Sequence, residues 1–142
     1  MHPLINHLLE THGYPEVDLA NHDAFVAEPG MNVLFFPGDP QTVRDATDVA
    51  VILPELARAF AGRLRPGVVT DTFGAGKELK RRYGFREFPS LVFVRSGDYV
   101  GTISRVQDWA EYLRHIDELL VAAPRRAPGF SIPVVAAPAA ER

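Results

Sequence analysis

The stretch Tyr83-Gly84-Phe85-Arg86-Glu87-Phe88-Pro89-Ser90-Leu91-Val92-Phe93-Val94-Arg95-Ser96-Gly97-Asp98 decides the fold. Lys77 to Tyr83 predicts a short helix, and Gly84 ends it, because glycine accepts the left-handed conformation at a helix C-terminus. Phe88-Pro89 then breaks the chain. Ser90 to Val94 is an uninterrupted apolar run after its first residue, as expected of a buried strand. Ser96-Gly97-Asp98 is a hairpin turn, and Tyr99 to Ser104 is the returning strand.

Upstream, Met31 to Phe36 is apolar apart from Asn32 and is stopped by Pro37-Gly38, so it predicts a central buried strand. A polar loop, residues 38–47, leads to a helix capped by Thr47 or Asp48, with Val49, Ile52, Leu53, Leu56 and Phe60 on one face and Gly62 as its stop. Pro66 to Thr72 predicts a short strand. Residues 2–12 and a segment capped by Asn21 predict short helices. Asp108 starts a last amphipathic helix with Trp109, Tyr112, Leu113, Ile116, Leu119 and Leu120 inward. Trp109 is expected in the core. The order alternates in its first half and ends in a hairpin with a covering helix. It predicts an α/β fold with a mixed central β-sheet flanked by helices.

The chain has 142 residues, a single-domain length, with a hydrophobic fraction of 46% and no cysteine. Disulfides, thiolate nucleophiles and cysteine-based metal sites are therefore excluded. Net charge is −3, which speaks against a nucleic-acid partner. Residues 122–142 hold Arg125, Arg126 and Arg142 against Glu141, so residues 1–121 carry −5. That acidic body fits a basic partner or simply a solvated surface. No apolar run is long enough for a membrane span, and no secretory pattern opens the chain, so a cytoplasmic protein without membrane insertion is expected. The prolines and alanines beyond Val121 predict a folded domain over 1–121 and a disordered tail over 122–142, with Phe130 to Val135 as its one apolar patch.

The order of motifs over about residues 30–121 resembles thioredoxin. The Tyr83-Gly84 turn, the Phe88-Pro89 pair and the Gly97 hairpin match its cis-proline region, and Ile52-Leu53-Pro54-Glu55-Leu56-Ala57 resembles its proline-kinked helix. Ala46-Thr47-Asp48-Val49 stands where that family carries Cys-x-x-Cys. Its buried acid falls near Phe35. Exchange needs an attacking and a resolving thiol, and neither exists here.

The combination Tyr83-Gly84-x-x-x-Phe88-Pro89, Gly97-Asp98-Tyr99-x-Gly101 and Trp109-Ala110-Glu111 resembles the hydrogenase-expression HyaE/HupG family, cysteine-free thioredoxin-like proteins of [NiFe]-hydrogenase maturation. That resemblance implies a non-enzymatic chaperone without cofactor. Its partner would be the hydrogenase small-subunit precursor, bound through its twin-arginine signal peptide, with other hydrogenase accessory proteins as further partners. A redox-inactive scaffold in an assembly complex is the alternative.

Five residues form the expected peptide site. Phe88 and Pro89 would offer free backbone to an extended peptide, or would serve fold geometry alone. Asp39, Asp45 and Asp48 would form an anionic rim for arginines, or would merely complement a helix dipole. His2, His7 and His12 are spaced so that they do not share one helix face, which speaks against a metal site. Gly74-Ala75-Gly76-Lys77 lacks the spacing of a phosphate loop.

Overall fold

The computed structural model describes residues 2–129. Its elements are α1 (Pro3–Glu10), α2 (His22–Ala27), β1 (Met31–Phe36), α3 (Ala46–Ala59), β2 (Leu64–Val68), a π-helical turn (Thr72–Gly76), α4 (Lys77–Tyr83), β3 (Ser90–Arg95), β4 (Asp98–Ser104) and α5 (Trp109–Val121). The strands form one mixed sheet in the order β2-β1-β3-β4. β1 pairs parallel to β2 and antiparallel to β3, and β3 pairs antiparallel to β4. This is the expected α/β architecture, thioredoxin-like in its crossover, hairpin and covering helix.

Every residue of β1 is buried, because helices cover both faces of the sheet. The strand's period of two divides it cleanly. Met31, Val33 and Phe35 face α1, α3 and α5. Leu34 and Phe36 face α2 and α4. Asn32 is fully buried on that second face, yet it is satisfied. Its amide donates to the Val26 and Glu28 carbonyls at 3.0 and 2.9 Å and accepts from Arg65 at 2.8 Å. Arg65 also lies over the Phe25 ring at 4.2 Å. One polar residue in the central strand thus ties α2 to β2. Both sheet edges are covered by chain. Val17 and Pro15 bond to Val68 at the β2 edge, and the Arg125 N–H donates to the Tyr99 carbonyl at the β4 edge.

Several boundaries differ from expectation. α3 begins at Ala46, with Asp45 at the cap position and no side-chain cap bond, rather than being capped by Thr47 or Asp48. β2 is Leu64–Val68 rather than 66–72: its register is set by β1, and Pro66 is tolerated because β2 is an edge strand. Asn21 sits at the α2 cap position but makes no cap bond. Its side chain instead accepts from Asp18 N–H and donates to the Glu16 carbonyl. Trp109 is 44% exposed. As the first residue of α5 it points back past the helix end, beyond the core that Tyr112, Ile116 and Leu119 fill. The folded body also extends past residue 121, since Ala127 is buried among the α2 and α4 side chains. Phe130 to Val135 lies outside the described residues.

Candidate functional site

The site lies beyond the carboxyl ends of β1 and β2, where open α/β sheets hold their ligands. Ala46 and Val49, in place of the paired thiols, are 0% and 1% exposed, and Phe35 behind them is 0% exposed. Both substitutions are therefore packing residues, and the face offers no group for exchange chemistry.

The Phe88–Pro89 peptide bond is cis, as expected from the motif. Its neighbours are fixed on both sides. The Pro89 carbonyl accepts the Arg105 N–H at 2.8 Å. Ser90 Oγ donates to the Glu87 carbonyl at 2.7 Å and lies 2.8 Å from Ser104 Oγ. Between them, the Phe88 N–H and C=O bond to no group among the described residues. The half-buried Phe88 ring packs edge-on against Phe85 at 5.8 Å, with the Lys80 ammonium 5.7 Å from its centre. Gly38 presses against it from β1. Its φ is +76°, and a Cβ there would come within 2.6 Å of Phe88 Cβ. Glycine is required at this point twice over, by conformation and by space.

Two hollows flank this contact. One, of about 320 Å³, is lined by Thr42, Val43, Arg44, Asp45, Glu87, Phe88 and Arg105. The other, of about 390 Å³, includes Pro37, Asp39, Pro40, Asp71 and the 79% exposed Phe73.

The three aspartates do not form one open rim. Asp45 is already paired: Arg105 Nη2 lies 3.3 Å from its carboxylate and Arg105 Nη1 lies 3.7 Å from Glu87. Asp39 accepts the Gln41 N–H at 3.0 Å and heads the turn that carries the loop. Asp48 is exposed in the first turn of α3 and lines neither hollow. The Phe88 hollow holds two carboxylates and two guanidiniums, so it is charge-balanced rather than anionic.

Sequence reasoning missed Arg105, Glu87, Gly38 and Phe73. Arg105 reaches Asp45 across 60 positions, and no local pattern signals such a pair. Its place is set by fold: φ is +64°, its N–H is bound to Pro89, and its carbonyl accepts the Tyr112 hydroxyl at 3.3 Å. Gly38 was legible only as the stop of β1.

The histidines serve structure. His2 Nδ1 accepts the Leu4 N–H and caps α1. His12 stacks on Tyr14 and meets His7 edge-on. His22 is buried between Asp23 and Tyr83. Among the described residues, no group of three or more histidines and carboxylates is placed to hold a metal ion. No helix among them is long and apolar enough to cross a membrane.

Comparison with known proteins adds to this geometry. Residues 4–112 match the family described as Hydrogenase-1 expression protein HyaE. The chain is 45% identical over 132 residues to the hydrogenase expression/formation protein HoxO of Azotobacter vinelandii, covering 93% of this chain and 87% of that protein. It is 40% identical to HoxO of Cupriavidus necator, covering 96% of this chain and 85% of that one. A crystal structure from Rhodopseudomonas palustris, assigned as hydrogenase expression/formation protein HupG, superposes with a TM-score of 0.53 at 40% identity. The match spans 75% of this chain and 94% of that one.

Proposed function

The chain belongs to the HyaE family of hydrogenase expression proteins, with its role in hydrogenase expression and formation, and from that we propose that it is a non-enzymatic, cytoplasmic chaperone that binds the twin-arginine signal peptide of the hydrogenase small-subunit precursor. The observation that carries this reading is the unpaired Phe88 peptide group. Its neighbours on both sides are hydrogen-bonded, and Phe88 shares a hollow with Asp45, the residue before Ala46, where a redox relative would have its first thiol. A backbone N–H and C=O left free at a fixed edge suit an extended peptide that pairs by strand addition. The flanking hollows, with Phe73, Pro37 and Pro40 on one side and Phe88 on the other, suit the apolar part of a signal peptide.

The test is calorimetric titration of a synthetic twin-arginine signal peptide into wild type, Gly38→Ala and Asp45→Asn. Gly38→Ala pushes a methyl group into Phe88, and weaker binding at every salt concentration is expected. Asp45→Asn should change mainly the salt dependence, since exposed charges tune encounter more than affinity. Absence of binding to wild type, or equal binding by Gly38→Ala, refutes the reading.

The charge balance of the Phe88 hollow favours one second reading, a scaffold module that binds a folded partner without selecting adjacent arginines. Capture of the precursor with and without its signal peptide separates the two: equal capture supports the scaffold.

A further inference from the structure

α4 concentrates positive charge on an acidic body. Lys77, Lys80, Arg81 and Arg82 stand on it with one carboxylate, Glu78, so α4 carries +3 while the rest of residues 1–121 carries −8. Three of these cations lie in the last turn, where the helix dipole favours them. Lys77 lies outside that turn. It stands three and four residues from Lys80 and Arg81, and like charges at that spacing repel each other on a helix surface. Glu78 is taken up by Arg81 and Arg82, at 2.6 and 3.2 Å. Lys77 and Lys80 form no ion pair among the described residues. Stability alone would put a carboxylate at one of these two positions.

The unpaired lysines line a hollow of about 510 Å³, together with Arg81 and Glu78. Phe85, 8% exposed, adds an apolar wall to it, and the aliphatic stems of the lysines extend that wall toward their charged tips. The Lys80 ammonium lies 5.7 Å from the centre of the Phe88 ring, so the hollow borders the peptide face.

We propose that the α4 hollow is a docking site for an acidic segment of a partner protein, with carboxylates against Lys77 and Lys80 and an apolar side chain against Phe85. Charge complementarity selects the occupant. α4 is cationic and the remaining body is acidic, so a short stretch of carboxylates is drawn to this helix and repelled elsewhere. The same field disfavours a nucleic acid, whose closely repeated phosphates would run off one short helix onto the acidic body. The site takes the opposite charge from the arginine-bearing peptide proposed for the Phe88 face, and it does not rest on that reading.

The test is fluorescence anisotropy of a dye-labelled peptide, glutamates around one central phenylalanine, titrated with the full-length protein. Wild type should bind it, more weakly as salt is added, and Lys77→Gln with Lys80→Gln should bind about tenfold more weakly. Lys77→Arg with Lys80→Arg should bind as wild type does. Arg58→Gln with Arg63→Gln removes the same charge at the end of α3 and in the turn after it, and should change affinity by less than about twofold. Urea midpoints equal to that of wild type show that the variants are folded. Absence of binding to wild type, equal binding of a peptide with glutamine for glutamate, or an equal loss in the Arg58 and Arg63 pair overturns the proposal. Tighter binding of a labelled oligonucleotide, abolished by the lysine-to-glutamine pair, assigns the hollow to phosphates and also overturns it.

Discussion

Tyr83 and His22, 61 positions apart, meet through a 2.6 Å hydrogen bond between the phenol and His22 Nε2, inside the core between α2 and α4. The roles follow from chemistry. The Asp23 carboxylate only accepts, so His22 Nδ1 donates to it at 2.8 Å; in the tautomer that carries its proton on Nδ1, Nε2 accepts the Tyr83 hydroxyl. Tyr83→Phe keeps the ring volume and leaves a buried nitrogen without this partner. A buried unsatisfied group costs about 1–3 kcal/mol, so urea denaturation near neutral pH should show a loss in that range at unchanged slope.

The same phenol predicts an alkaline limit to stability. Burial, and next the Asp23 carboxylate, push the Tyr83 ionisation far above the ordinary tyrosine value. The folded state therefore holds this proton where the unfolded chain releases it. The associated stability is complete below about pH 10 and is lost as pH rises past it toward the raised folded value. Urea midpoints measured from about pH 9 to 11 should fall for wild type and fall less for Tyr83→Phe. A remainder is expected, because burial also raises Tyr112 and Tyr14.

Asn32 gives a second core prediction. Asn32→Leu is nearly isosteric and apolar, but it removes the amide that joins the Val26 and Glu28 carbonyls to the Arg65 guanidinium; Val26 keeps the Gly97 N–H and Arg65 keeps the Phe25 carbonyl. A cost of about 1–2 kcal/mol is expected, because the hydrogen bonds are lost while the groups left behind keep other partners or meet solvent. Thermal unfolding checks it. Equal or higher stability would mean that the remaining bonds and water fully replace the amide.

The sequence carried the sheet better than the site, for a physical reason. β1, α4, β3 and β4 are written in local pattern: apolar runs bounded by Pro37-Gly38, Gly84 and Ser96-Gly97, each a backbone break that needs no tertiary partner. The cis-proline motif and the filled thiol positions at Ala46 and Val49 were legible in the same way. The structure does not bring the three expected aspartates together as one open rim, because charge read along a sequence takes no account of partners. Asp45 meets Arg105 only once β4 and α5 have set the turn between them, and Asp39 spends its carboxylate on its own loop. Trp109 failed similarly: periodicity placed it on the apolar stripe, but the core begins one turn further along the helix, at Tyr112. The docking of Ala127 was invisible because an extended segment has no period to read.

Arg105 yields the last prediction. Its guanidinium bridges Asp45 and Glu87 while its own side chain is 55% exposed. Pairs this open contribute about 0–1 kcal/mol, so Arg105→Gln should change stability by less than about 1 kcal/mol in urea denaturation. Binding should respond in the opposite sense from a simple loss of contact. Glutamine keeps the backbone bond to the Pro89 carbonyl and removes the cation, so two carboxylates on either side of Phe88 become available to a partner's arginine. On the proposed function, a twin-arginine signal peptide should bind Arg105→Gln more tightly than wild type, by up to about fivefold, with a steeper salt dependence. Glu87→Gln added to Arg105→Gln should cancel most of the gain. If Arg105→Gln binds the peptide more weakly than wild type, then Arg105 itself contacts the partner, and the two carboxylates serve to aim its guanidinium rather than to receive one.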